Sequence, residues 1–141
     1  MSQSHFEFRR ATADDANDIL SLWRAAEASP SVTDTIEDIR SIAGRDSAAV
    51  IVAVSQGQIL GSIIAAFDGW RGGVYRLAVH PTVRRQGIAR ALVVEAEKMF
   101  RTWGVKRVSA IVLLDHPSAM GFWTAAGYAM QEDTVRFVRD F

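Results

Sequence analysis

The chain has 141 residues, the length of one ordinary domain, and with 49% apolar and 23% charged residues its composition is globular. Sixteen basic residues balance sixteen acidic ones, which argues against the broad positive field that nonspecific nucleic-acid binding relies on. Cysteine is absent, which excludes disulfide frameworks, thiolate zinc sites and cysteine nucleophiles, and three scattered histidines do not make an all-histidine metal site.

The opening Phe6, Glu7, Phe8, Arg9 alternates, as a short half-buried strand does. Thr12 with Asp15 three residues on is a capping-box pattern, and Ala16, Ile19, Leu20, Trp23 and Ala26 recur at helical spacing behind it. Ser29, Pro30 and Ser31 interrupt that helix. A shorter one is expected from about Thr33 to Ala43, with Ile36, Ile39 and Ile42 on one face and Gly44 as its stop. Two apolar runs, Ala49–Val54 and Ile59–Phe67, flank the turn Ser55, Gln56, Gly57 and read as a hairpin buried on both faces. The loop 68–73 leads to a third strand, Val74–Val79, which stops at His80 and Pro81.

A long helix is expected from about Gly87 to Trp103, its apolar stripe including Ile88, Leu92, Ala96 and Met99. A strand over Arg107–Leu114 follows. Pro117 suits the first turn of a helix through Ala125, with Gly127 at its end, and the alternating tail Thr134–Arg139 is read as a last strand. The order predicts a mixed α/β sheet flanked by helices in one domain over 1–141. The long helix between strands 74–79 and 107–114 is the crossover that parallel neighbours require. The longest apolar stretches, such as Ala48–Val54, fall far short of the roughly 20 residues that cross a bilayer. Met1–Arg10 shows no signal-peptide pattern, so a cytoplasmic protein that avoids membranes is expected.

Between Gly69 and Val94 there is no carboxylate, yet Arg71, Arg76, Arg84, Arg85 and Arg90 fall there together with His80. In a neutral protein that window is a local anion trap. Within it Arg84, Arg85, Gln86, Gly87, Ile88 and Ala89 bridge a strand end and a helix start, where free N–H groups and the helix dipole attract phosphate. The chain has neither a Gly-Lys-Ser/Thr loop nor a Gly-x-Gly-x-x-Gly turn after a strand.

These residues resemble the GCN5-related N-acetyltransferases, whose phosphate loop reads Arg/Gln-x-x-Gly-x-Gly/Ala; here that is Arg84, Gly87, Ala89. Leu77, Ala78, Val79, His80, Pro81 is similar to the family's bulged fourth strand, and Ala119, Phe122, Trp123, Gly127, Tyr128 to its closing motif. The resemblance spans nearly the whole chain. It implies a central, mostly antiparallel sheet with one parallel, splayed strand pair and about four helices. It further implies binding of acetyl-CoA, without a metal, and direct transfer of the acetyl group to an amine acceptor. Backbone groups of Leu77, Ala78 and Val79 would pair with the pantetheine arm. Arg84, Arg85, Gln86, Gly87, Ile88, Ala89 and Arg90 would hold the pyrophosphate, and a strand N–H near Leu77–Val79 would polarise the thioester carbonyl. Homodimers are common in the family.

Two positions depart from its pattern. His116 stands where asparagine is usual, so it is a candidate both for the cofactor and for proton transfer. Trp123 stands at the catalytic position usually held by tyrosine, and an indole N–H is no acid near neutral pH. Tyr75 falls about where a carboxylate base is often found. Positioning and carbonyl polarisation alone are one account of turnover; proton transfer by His116, Tyr75 or Tyr128 is another. A third is an acyl-CoA sensor without turnover, and a nucleic-acid binder using the arginine window is the reading from a different class. For the acceptor, Trp70, Asp68 and Asp115 near strand ends are candidates. Glu27, Asp34, Glu37 and Asp38 cluster around the first two helices, either as an ordinary solvated helix face or as an acidic wall able to attract a cationic amine.

Overall fold

The computed structural model describes residues 5–112 and 117–141. By packing, the chain divides into two compact units, Met1–Ala110 and Ile111–Phe141. The first holds β1 (Glu7–Arg10), α1 (Ala16–Ala25), α2 (Ile36–Ala43), β2 (Ala48–Ser55), β3 (Gln58–Phe67), β4 (Gly72–Val79), α3 (Ile88–Trp103) and β5 (Val108–Ala110), and the second holds α4 (Pro117–Ala125). Five strands form one sheet in the order β1-β2-β3-β4-β5, antiparallel throughout except for β4 with β5. This is the mixed sheet with one parallel pair that the sequence predicts.

The period of two along a strand decides which helix covers which face. Ser62 Oγ accepts a hydrogen bond from Trp23 Nε1 of α1 at 2.9 Å, whereas a Cβ on the preceding Gly61 would stand 3.0 Å from Ile88 and 3.1 Å from Leu92 of α3. Helices α1 and α3 therefore lie on opposite faces. Ile19, Leu22, Trp23 and Ile39 pack with Val50, Val52 and Ile64 on the first; Ile88, Leu92, Val93, Ala96 and Phe100 are the buried stripe of α3 on the second. Both faces being covered, β2 is buried over six of its eight residues, which is why its sequence runs apolar instead of alternating.

Boundaries follow local chemistry. A 3-10 turn over Ala13–Asp15 precedes α1, and Asp15 Oδ2 accepts from the Thr12 N–H at 2.8 Å, the returning half of the expected capping box. Helix α2 begins at Ile36, later than expected, because Ser31–Asp34 closes a turn of its own and Thr35 takes the cap, its hydroxyl accepting from the Asp38 N–H. The β2–β3 turn places Gln56 and Gly57 at φ of 51° and 75°, the primed geometry that matches strand twist.

Two expectations are corrected. Strand β5 covers only Val108–Ala110, with Ile111 and Val112 outside it and Leu113 and Leu114 beyond the described residues. The tail Thr134–Arg139 is not a strand: it takes no part in a ladder, and Val135 and Phe137 are 83% and 93% exposed. Alternation marks a segment able to face two environments, but a strand exists only where a neighbour supplies the hydrogen bonds. In the second unit the rings of Phe122, Trp123 and Tyr128 pack edge to face, with centroids 5.4 and 4.9 Å apart.

Two predictions follow from this packing. A Cβ on buried Gly72 would stand 2.7 Å from the Phe100 ring and 3.1 Å from Val105, so Gly72→Ala should cost about 1–3 kcal/mol in denaturant unfolding; an unchanged midpoint would mean that the Phe100 ring moves freely. Arg9 donates twice to Asp15, at 2.9 and 3.0 Å, and that guanidinium, before all other causes, holds the Asp15 carboxyl below its ordinary range. A carboxyl lowered in the native state stabilises above its unfolded value, about 3.9, and loses that contribution as pH falls through the native value. Arg9→Met should therefore be less stable by up to about 1 kcal/mol at pH 7, given the exposure of the pair, with the gap closing below about pH 4. A gap that persists to pH 2 would assign it to lost packing.

Candidate active site

Strand β4 is paired unequally. On one edge it pairs with β3 from Phe67↔Gly72 to Gly61↔Val79; on the other its ladder with β5 stops at Val74↔Ala110. From Tyr75 to Val79 the β5-side edge has no strand beside it among the described residues. Main-chain groups left so at a sheet edge are ready to bind an extended ligand.

The same stretch carries a bulge. Ile64 faces Tyr75 and Ser62 faces Ala78, so Arg76 and Leu77 together stand opposite Ile63, and Arg76 takes φ of 52°. Cross-strand partners share a face, so Tyr75 lies with Ile64 on the side of α1 and α2. It is 51% exposed, and its hydroxyl would stand 3.1 Å from a Cβ on Gly73: the ring rests in the space that glycine leaves. Leu77 and Val79 are half-buried and Ala78 is buried.

Past Val79 the chain turns into α3. His80 caps the 3-10 turn Pro81–Val83, its Nδ1 3.2 Å from the Thr82 N–H, and Arg84, Arg85, Gln86 and Gly87 are exposed. Arg85 and Gly87 take φ of 63° and 77°, turning the backbone so that α3 starts at Ile88 without a side-chain cap and without an acidic residue in its first turn. A Cβ on Gly87 would meet nothing within 4 Å. The first N–H groups of a helix have no intrahelical partner, and here no side chain of the N-cap residue takes them at the positive end of a 16-residue helix. Arg84 reaches back with long contacts of 3.4 Å to the Val79 carbonyl and 3.5 Å to the Ala26 carbonyl. Ala89 is half-buried and Arg90 exposed in the first turn. Residues 77–79 and 84–90 are thus brought together in a cradle around the end of β4.

Two of the acceptor candidates, Asp68 and Trp70, lie elsewhere. Asp68 and Trp70 precede the Gly72 end of β4, and seven residue steps separate Gly72 from Val79, about 23 Å at the usual strand rise. Asp68 Oδ1 accepts from the Trp70 and Arg71 N–H groups at 2.8 Å each, which holds its carboxyl below the usual range. Arg71 covers the Trp70 ring at 4.3 Å. Together with Gly69, Lys106 and Arg107 they line a shallow cleft of about 300 Å³. Asp115 and His116 lie outside the described residues, and Trp123 belongs to the second unit.

One part of the site escaped sequence reading. Asp34 is spent on Arg76, two bonds of 3.0 and 2.6 Å, and Asp38 on Thr35, whose hydroxyl donates to it at 2.9 Å; neither stands free in the acidic cluster around α1 and α2. The available signal was an arginine between apolar neighbours in a central strand, since a charge taken from water there requires a partner.

Comparison with known proteins agrees with this geometry. A family model described as "Acetyltransferase (GNAT) family" matches residues 16–128. An acetyltransferase of Sodalis glossinidius is 30% identical over 129 residues, 92% of this chain and 91% of its own. Among solved structures, AAC(6')-Iy in complex with the bisubstrate analogue CoA-S-monomethyl-acetylneamine superposes with a TM-score of 0.80 at 16% identity, covering 98% of this chain and 100% of its own. The PaiA N-acetyltransferase of Thermoplasma acidophilum, bound to coenzyme A, gives 0.82 at 15% identity over 92% and 93%. With its sheet, its helices and four-fifths of its length matched in this way, the chain belongs to the acetyltransferase (GNAT) family and is an acetyltransferase of that fold.

Proposed function

We propose that the whole chain is an acetyl-CoA-dependent N-acetyltransferase that passes an acetyl group to a primary amine within a ternary complex. The observation that carries this is the carboxylate-free turn Arg84–Ala89 at the uncapped start of α3, continuous with the unladdered edge of β4. The cradle fits a pyrophosphate: several N–H donors and a helix dipole converge on open space, and an anion there gains from both. Two neighbours point the same way, one bound to coenzyme A and one to a CoA-linked aminoglycoside amine.

In this reading Arg84, Arg85, Gln86, Gly87, Ile88, Ala89 and Arg90 hold the phosphates, and Leu77, Ala78 and Val79 pair through their main chain with the amide-bearing arm. Acetyl-CoA supplies an activated acyl carbon. The chain supplies position, plus an N–H at the bulge aimed where negative charge develops, an interaction worth about 3 kcal/mol at comparable sites. A neutral amine forms the new C–N bond as the C–S bond breaks; the amine gives up one proton and the leaving sulfur gains one. Trp123 donates only a weakly acidic indole N–H, so the proton passes to sulfur from another group. We assign that step to Tyr75, whose half-exposed side chain stands where the β4–β5 ladder ends.

Gly87→Val puts a β-branched side chain at a left-handed position and into the space of the phosphate, so calorimetry should find acetyl-CoA bound at least about tenfold more weakly, a loss of 1.4 kcal/mol or more. Trp123→Phe should leave that affinity within about twofold, and equal damage from both would refute the division of roles. Tyr75→Phe should lower kcat for thiol release against a panel of amines, peptides and polyamines while sparing acetyl-CoA binding. Binding without release from any acceptor would make the protein an acyl-CoA sensor, and no binding would refute the reading of Arg84–Ala89.

A further inference from the structure

Arg76 is the residue at which β4 departs from a regular strand, and an unusual number of contacts meet on it. Its φ of 52° lies in the left-handed region, which a residue with a side chain enters at a cost that surrounding contacts must offset. Nε and Nη2 donate to the two oxygens of Asp34, at 3.0 and 2.6 Å, the bidentate fork that a guanidinium makes and an ammonium does not. The Arg76 carbonyl accepts from Ser62 Oγ at 2.9 Å. Ser62 is fully buried and accepts in turn from Trp23 Nε1; the guanidinium carbon sits 5.4 Å from the Trp23 ring centre.

Asp34 is a junction as well. Its Oδ2 also accepts from the Ser31 N–H at 3.2 Å, closing the turn that feeds the N-terminus of α2. One carboxylate thus ties the segment between α1 and α2, through Arg76, to the bulge of β4. The Arg76 and Asp34 side chains retain only 19% and 15% of their exposure. An ion pair at that depth returns little net stability after desolvation, and what it fixes is geometry.

We propose that the Asp34–Arg76 pair is a positioning strut of the transfer site, locking the α1–α2 segment and the β4 bulge into one unit so that the N–H at the bulge stays aimed at the reacting carbonyl. The inference rests on the reading of the bulge given under Proposed function. It makes Asp34 and Arg76 positioning residues: their side chains are committed to each other, and their removal disturbs the aim of the bulge more than the grip on acetyl-CoA.

The test compares wild type with Asp34→Asn, Arg76→Lys, Arg76→Met and the Asp34→Asn/Arg76→Met double variant. Readouts are thermal unfolding, acetyl-CoA affinity by calorimetry, thiol release with neamine as the acceptor probe, and amide hydrogen exchange over residues 28–35 and 72–79. In Asp34→Asn, exchange should quicken in both segments together, although the substitution lies in only one. The kcat should fall about tenfold or more while the acetyl-CoA Kd stays within about threefold. Arg76→Lys should fail to rescue, and the double variant should be no worse than the worse single one. Exchange over 72–79 that ignores Asp34→Asn overturns the strut, as do melting temperature, Kd and kcat falling in parallel or full activity in Arg76→Lys. A wild type that fails to bind acetyl-CoA refutes the transferase reading instead, and exchange then still decides whether Asp34 holds the bulge.

Discussion

Strand β4 is hydrogen-bonded to β3 along its length but to β5 at only three residue pairs, and this unequal pairing shapes the site. A main-chain N–H or C=O removed from water must find a partner. Between Tyr75 and Val79 no strand supplies that partner on the β5 side among the described residues, while antiparallel pairing with β3 holds the other edge. The bulge at Arg76 and Leu77 adds an excess residue on the β3 side, so the free edge bends without the sheet coming apart. Helix α3 then returns along the opposite face from a turn free of carboxylates.

The electrostatic design is local. A chain with no formal net charge cannot steer an anion over long distances, so any attraction is confined to the carboxylate-free turn that opens α3. The acids around α1 and α2 are largely committed within the fold, Asp34 to Arg76 and Asp38 to the cap of α2. The basic cleft at Trp70, Arg71, Lys106 and Arg107 lies by the other end of β4. Distance along the strand separates it from the phosphate cradle.

Where the expected elements hold, a short-range reason holds them. Thr12 with Asp15, Gln56 with Gly57, and the stripe of α3 each act over a few residues, so periodicity and turn chemistry were enough to find them. The Arg84–Ala89 turn belongs to the same group: composition marked it, and its position between strand and helix gave it meaning. Where expectation failed, the missing information was a partner. Among the described residues, Thr134–Arg139 alternates as a strand does yet joins no ladder, and the strand expected over Arg107–Leu114 pairs at Val108–Ala110.

The Asp34–Arg76 pair divides the two kinds of knowledge. Sequence determined that an arginine stands in an apolar strand, that an acidic cluster borders the first two helices, and that an arginine-bearing turn free of carboxylates opens the long helix. These are properties of residue type and spacing, which the chain carries before it folds. Only the tertiary structure decided that one of those acids, 42 positions away, closes on that arginine, and that the strand bulges there and loses its parallel neighbour just before. Pairing across such a separation depends on how the sheet brings its strands and helices together, and spacing along the chain holds no record of it.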